Sequence, residues 1–217
     1  MGEIFDTIVC VYSSCDHLED AKKLRDSLSL PNSKFLIFLS KGYKGEEGDG
    51  IVKLDIDEGY ELLSIKTYKM FEYIYKSGIQ FNKIYKIDAT VLSGTTCKHE
   101  LEKIDKIKEV FFNQSLDSDL QYFGACLYTA TEQSTLAWAK GKGMSIKGGS
   151  WWLLTNKHNI NYFSGKFYGL GWEFFNFIIN DKTTKGLCNL MVRDWGGCED
   201  MVVGILYQKF LRYDQQN

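Results

Sequence analysis

A single proline, Pro31, interrupts this chain of 217 residues. Helices and strands are therefore free of proline breaks, and Pro31 itself marks the end of an element. Histidines are as sparse. His17, His99 and His158 stand far apart, so a histidine-rich zinc site is not expected. Six cysteines, at 10, 15, 97, 126, 188 and 198, form no C-x-x-C pair. That spacing argues against a zinc ribbon or a dithiol motif. Cys10 and Cys126 fall in strand-like stretches, so the cysteines read as reduced and mostly buried, in an intracellular protein. No run of about 18 apolar residues exists, and no membrane-spanning helix is expected. The opening MGEIFDTIVCVY has two acids, no positive region and no small-residue cleavage site, unlike a secretory leader. Lysines and acids are interspersed, with a net charge of −2, so no basic stripe is present to neutralise nucleic-acid phosphates. These absences predict a cytoplasmic chain without a nucleic-acid partner.

What the chain does have is apolar bulk. Hydrophobic residues make up 44%, enough for one full core, and one domain over residues 1–217 is expected. Aromatics reach 15%, a content that fills cores and also lines sugar and nucleotide pockets. Thr7 to Tyr12 is a β-rich run, and SSCD after it supplies helix-capping residues. Leu18, Ala21, Leu24 and Leu28 then recur at helical spacing, up to Pro31. Lys34 to Ser40 is nearly continuously apolar, as for a strand covered on both faces. A polar glycine-rich loop and a short strand, Ile51 to Asp55, follow. Glu58 to Ser77 is predicted as one helix, with Leu63, Thr67, Met70 and Ile74 on one face and Gly78 as its stop. Lys83 to Ile87 is the next strand. Strand–helix alternation of this kind predicts a parallel sheet with helices on its faces. The second half is less regular. A charged helix surrounds Leu101 and Ile104, Gln121 to Tyr128 and WWLLT read as strands, Phe167 to Ile179 is densely aromatic, and Val202, Leu206 and Phe210 mark a final helix.

In an open α/β sheet, ligands bind beyond the carboxyl ends of the strands. Tyr12-Ser13-Ser14 lies at one such end. Its hydroxyls and nearby N–H groups suit a nucleotide base or phosphate, although taken alone the segment reads first as a helix cap. Asp88 ends KIYKID and reads either as a turn residue or as half of a metal-binding pair. In RDWGGCEDMVVG, Glu199 and Asp200 open a helix, where acids favour the macrodipole and where a general base would also fit. Lys147-Gly148-Gly149-Ser150 is a glycine loop in which Lys147 suits a phosphate. Trp151, Trp152, Trp172 and Trp195 offer flat faces that fit either sugar C–H surfaces or the core.

Taken in order, these segments resemble the β-1,3-galactosyltransferase and Fringe-like family. DIDEGYELLSIKT resembles its D-x-Y-x-x-L-x-x-K-T helix through Asp57, Tyr60 (one residue late), Leu63, Lys66 and Thr67. KIYKID is similar to its K-x-D-x-D strand end, KGGSWWLLT to its G-G-G-Y-V-L-S strand, and GCEDMVVG to its E-D-V-x-V-G segment. The resemblance spans roughly residues 5 to 210. It implies a GT-A fold, that is, a Rossmann-like mixed sheet with flanking helices. It implies a nucleotide-binding half at about 1–95 and an acceptor-side half at about 96–217.

The implied activity is inverting transfer from a UDP-sugar to a glycan or glycoprotein, with Asp200 as base beside Glu199. Mn²⁺ or Mg²⁺ would bridge the diphosphate and the strand-end acid, at Asp88 and Thr90. The donor side would comprise Tyr12, Ser13, Ser14, Lys66, Lys86, Asp88, Ala89, Thr90, Lys147 and Gly149, and the acceptor side Trp151, Trp152 and Trp195. The chain resembles small soluble relatives of bacteria and large DNA viruses, including the chlorella viruses. It departs from the family at Asp88-Ala89-Thr90, where a hydroxyl replaces the second acid, and no histidine follows Glu199-Asp200. A hard cation prefers carboxylates, so weaker metal binding is expected, with diphosphate and water completing the shell. Two other readings stay open: a nucleotidyltransferase-like enzyme, and a non-catalytic sugar-binding module of the same fold.

Overall fold

The computed structural model describes residues 4–92, 102–109, 119–124, 126–131, 160–195 and 198–214. The chain is mixed α/β. Strands β1 (Ile4–Tyr12), β2 (Ser33–Leu39), β3 (Ile51–Lys53) and β4 (Gln80–Asp88) pair in parallel, in the spatial order β3-β2-β1-β4. Parallel strands need crossovers, and helix α1 (Leu18–Leu28) links β1 to β2 while α2 (Leu63–Lys76) links β3 to β4. A third helix, α3, covers residues 102–109.

Alternation along β1 divides the core. Ile8 and Cys10 face the α2 side with Met70, Phe71 and Ile74. Val9 and Val11 face the α1 side with Ala21, Leu24 and Leu28, and α3 adds Ile104 and Ile107 there. Both faces of β1 are covered, which is why its sequence reads as an unbroken apolar run.

The sheet changes character beyond β4. Short β5 (Tyr122–Gly124) lies at the edge, β6 (Leu127–Ala130) pairs with β7 (Ile160–Phe163) in a separate ribbon, and β8 (Phe167–Gly171) runs antiparallel between β4 and β5. Helices α4 (Trp172–Asn180), α5 (Thr184–Trp195) and α6 (Glu199–Asp214) complete the fold. Phe174, Phe175 and Ile178 of α4, with Met201, Val202, Val203 and Leu206 of α6, enlarge the α2-side core.

Several expectations need correction. The predicted strand 121–128 is two strands in different sheets, because the chain leaves the main sheet after Gly124. Leu127 is then 62% exposed and Cys126 is exposed, not buried. Cys15 is exposed too, whereas Cys10, Cys188 and Cys198 are buried and Cys97 lies outside the described residues. The helix predicted from Glu58 begins as a 3₁₀ turn at Tyr60–Leu62, and its stop at Gly78 is a left-handed residue with φ +69°. The aromatic stretch from Phe167 is a strand running directly into a helix. Trp172 starts that helix at the end of β8 that faces Lys83. Because β8 is antiparallel, Trp172 sits at the opposite end of the sheet from Asp88, away from the strand ends it was expected to serve. WWLLT and the loop 139–150 lie outside the described residues.

Candidate active site

The chain reverses its winding direction between β1 and β4: β2 and β3 lie on one side of β1 and β4 on the other. A crevice opens at such a switch point, at the carboxyl ends of the strands. The last residues of the two strands, Tyr12 and Asp88, are in register there.

Two lysines approach the Tyr12 ring. Lys66, from α2, lies 4.0 Å above the ring centroid, and Lys86, from β4, lies 5.1 Å from it. Lys66 is 1% exposed and Lys86 2%. Buried ammonium groups need partners, and both have them within the protein. Lys66 donates to the Ser13 carbonyl at 2.8 Å and meets Glu58 Oε1 at 3.3 Å. Burial lowers its pKa, against the attraction of Glu58. Lys86 donates to Glu199 Oε1 at 2.9 Å and to the Gly165 carbonyl. Through these bonds Lys66 ties α2 to the turn after β1, and Lys86 ties β4 to Gly165 and to the start of α6. Ser13 is buried, with its hydroxyl donating to the Ser14 carbonyl at 2.9 Å. The buried Tyr12 hydroxyl has no hydrogen-bond partner among the described residues. Burial, then Glu199, Glu58 and Asp88, raise its pKa, so the phenol stays neutral among three carboxylates.

Asp88 closes β4. Its N–H donates to the Lys166 carbonyl at 2.9 Å. Its Oδ1 accepts the Thr90 N–H at 2.8 Å and the Thr90 hydroxyl at 2.7 Å, across the buried Ala89. This is an Asx-type turn, so the turn reading of Asp88 is realised. The same geometry weighs on the expected cation. Thr90 directs its proton at Asp88 and offers no second negative charge. Among the described residues, no three His, Cys, Asp or Glu side chains gather to hold a metal. Asp88 and Thr90 do not by themselves fit a protein-bound divalent cation.

Glu199 and Asp200 open α6, and the chain does different things with them. Glu199 is buried against Lys86. Asp200 is half-buried, its Oδ2 accepting the Gly165 N–H at 3.1 Å and its Oδ1 the Met201 N–H at 2.9 Å. Burial and then the charge of Glu199 push its pKa up to about 7, while the Gly165 and Met201 N–H groups and Lys86 pull it down. A carboxyl poised near neutrality can take up and release a proton.

Sequence reasoning missed Gly165. It sits in the turn Ser164-Gly165-Lys166, closed by the Phe167 N–H donating to the Ser164 carbonyl at 3.1 Å. Gly165 bonds Asp200 and Lys86, and the next residue bonds Asp88. A Cβ at Gly165 would lie 2.3 Å from Glu199 Oε1 and 3.4 Å from Asp200 Oδ2. Only glycine leaves room for both carboxylates. The S-G-K triplet between two apolar runs was the available signal.

The fold thus brings Tyr12, Ser13, Lys66, Lys86, Asp88, Thr90, Glu199 and Asp200 to one edge of the sheet. Ser14 follows Ser13 there, half-buried. Asp57, one of the residues carrying the resemblance, pairs with Lys41 at the surface at 2.9 Å. Lys147, Gly149, Trp151 and Trp152 lie outside the described residues, as does the side chain of Trp195, the last residue of α5. Compared with protein-family models the chain has no match, and compared with curated proteins it also has none.

Proposed function

We propose that this chain is a GT-A glycosyltransferase that moves a sugar from a UDP-sugar to an acceptor hydroxyl with inversion. The observation that carries the reading is Asp200, a carboxyl raised towards neutrality and joined through one turn to the strand end that holds Asp88. Asp200 takes the proton of the acceptor hydroxyl as its oxygen attacks the sugar carbon from the side opposite the diphosphate. The bond from that carbon to the diphosphate oxygen breaks, and UDP leaves with the electron pair. Lys86 holds Glu199 and the Gly165 carbonyl, which fixes the turn that orients Asp200. Ser13 and Ser14 line the donor side. The mixed sheet, its switch point and the four segments resembling the β-1,3-galactosyltransferase and Fringe-like family support the same reading. If a cation such as Mn²⁺ or Mg²⁺ bound with the donor, it would supply charge neutralisation for the departing diphosphate. At Asp88 it would take most of its shell from the donor and water, and no step above depends on it.

Thermal unfolding with UDP and UDP-sugars, with and without Mn²⁺, tests this. Ligand at a hundred times its Kd stabilises by about 2.7 kcal/mol. For a domain of this size that is a rise in Tm of about 5 to 10 °C. No shift with any uridine nucleotide would sink the proposal.

A further inference from the structure

The amino ends of β1 and β4, the end of α2 and the first residue of α4 surround a cavity of about 440 Å³. Small-molecule pockets run from about 300 to 1,000 Å³. Ile4 pairs with Gln80 at this end of the sheet, and Tyr12 with Asp88 at the other, eight residues along β1. At about 3.3 Å per residue that is a separation of about 26 Å. The cavity is therefore remote from the crevice, and what it binds is independent of the transferase reading.

Its wall is largely aromatic. Trp172 opens α4 and packs against Phe81, with centroids 5.2 Å apart at 83°, and against Phe175, at 5.9 Å and 27°. Phe81 and Phe175 are buried, yet Trp172 remains 39% exposed. The core thus fixes the indole without covering it. Tyr75 of α2, 42% exposed, and Ile79 beyond it add further apolar surface. No lining residue is charged. A phosphate, carboxylate or ammonium drawn in would lose water and gain no counter-charge.

The polar part of the wall is two exposed primary amides on β4, Gln80 and Asn82. Each carries an acceptor and a donor side by side. That pair matches the N6–H and N7 edge of adenine, whereas guanine presents two acceptors at the same edge. Aromatic side chains stack on any base, because every base has a π-face. A monosaccharide has more hydroxyls than two amides can satisfy, and an aromatic hydrocarbon would leave both amides without a partner. We propose that this cavity binds a neutral adenine-type base, free or as its nucleoside, with the ring against Trp172 and the donor–acceptor edge on the amides of Gln80 and Asn82.

Titration of the ¹⁵N-labelled full chain with adenosine, glucose and indole tests this. Each of the five tryptophans gives its own indole N–H resonance, and Trp172→Phe identifies the signal of Trp172. Adenosine is expected to shift that signal saturably. By calorimetry, Trp172→Ala should weaken adenosine about tenfold or more, the scale of one lost base–aromatic stack. The double variant Gln80→Ala/Asn82→Ala should weaken adenosine about tenfold and leave indole binding unchanged. Tm is measured for both variants. Because Trp172 packs on the core and the two amides are exposed, the amide variant decides the matter if Trp172→Ala does not fold. No saturable shift at Trp172, wild-type adenosine affinity in the amide variant, or glucose or indole binding as tightly as adenosine would each overturn the proposal.

Discussion

The end of β4 and the start of α6 each present an acid to the same edge of the sheet, yet they are built in opposite ways. Asp88 takes both its side-chain bonds from Thr90, two residues on. Glu199 takes its bond from Lys86, 113 residues earlier, and Asp200 bonds Gly165, 35 residues earlier. The first acid is anchored by a local turn and the second pair by the tertiary fold. A local turn forms cheaply and is replaced cheaply. A buried pair drawn from distant strands depends on every element that delivers it.

The sharpest way to break this contrast is Lys86→Met. It leaves Glu199 buried without its cation, and removing one partner of a buried ion pair costs about 3 to 5 kcal/mol. Urea denaturation should show that loss. Gly165→Ala crowds the same carboxylates, so the double variant should lose less than the two single losses combined. A loss below about 1 kcal/mol for Lys86→Met would mean that α6 is held by its apolar face alone.

The next largest effect belongs to Asp200→Asn. Transfer should fall by about 10²-fold or more, the scale of a lost general base, while UDP-induced stabilisation remains. Full transfer in this variant would move the base elsewhere. The same substitution has a signature that needs no substrate. Asp200 has a pKa of about 7 when folded, against about 3.9 when unfolded. Between those values the folded state holds a proton that the unfolded state has lost, so this group makes stability fall as pH rises from about 4 to about 7 and then level off. That fall should be absent in Asp200→Asn. Matching pH profiles in the two proteins would show that Asp200 titrates as an ordinary surface acid.

The contrast between local and distant anchoring also decides what was legible in the sequence. β1, α1, β2 and α2 were readable because burial on both faces, or on one helical stripe, writes itself into consecutive residues. The turn character of Asp88 was readable for the same reason. The pairing of Lys86 with Glu199 was not, since nothing near either residue names the other. The antiparallel entry of β8 was equally hidden, and with it the displacement of Trp172 and the juxtaposition of Gly165 with Asp200. The split of the predicted strand 121–128 into two sheets depended on β7 and β8, whose paired residues lie 30 to 48 positions further along the chain.

The smallest expected effect tests the local side directly. Thr90→Val keeps shape and backbone N–H but removes the hydroxyl that donates to Asp88. One lost hydrogen bond at a half-buried turn should cost about 1 kcal/mol. A loss as large as that of Lys86→Met would show that the strand end is held by the wider fold after all. The substitution also bears on the cation. In Thr90→Val, Asp88 Oδ1 is relieved of one donor, so an ion approaching with the diphosphate meets a less occupied carboxylate. Any Mn²⁺-dependent part of the UDP-induced Tm shift should then grow, whereas Asp88→Ala should weaken it. If neither substitution changes the shift, Asp88 acts only as the residue that turns the chain, and a divalent ion that assists transfer is carried by the donor without help from this strand.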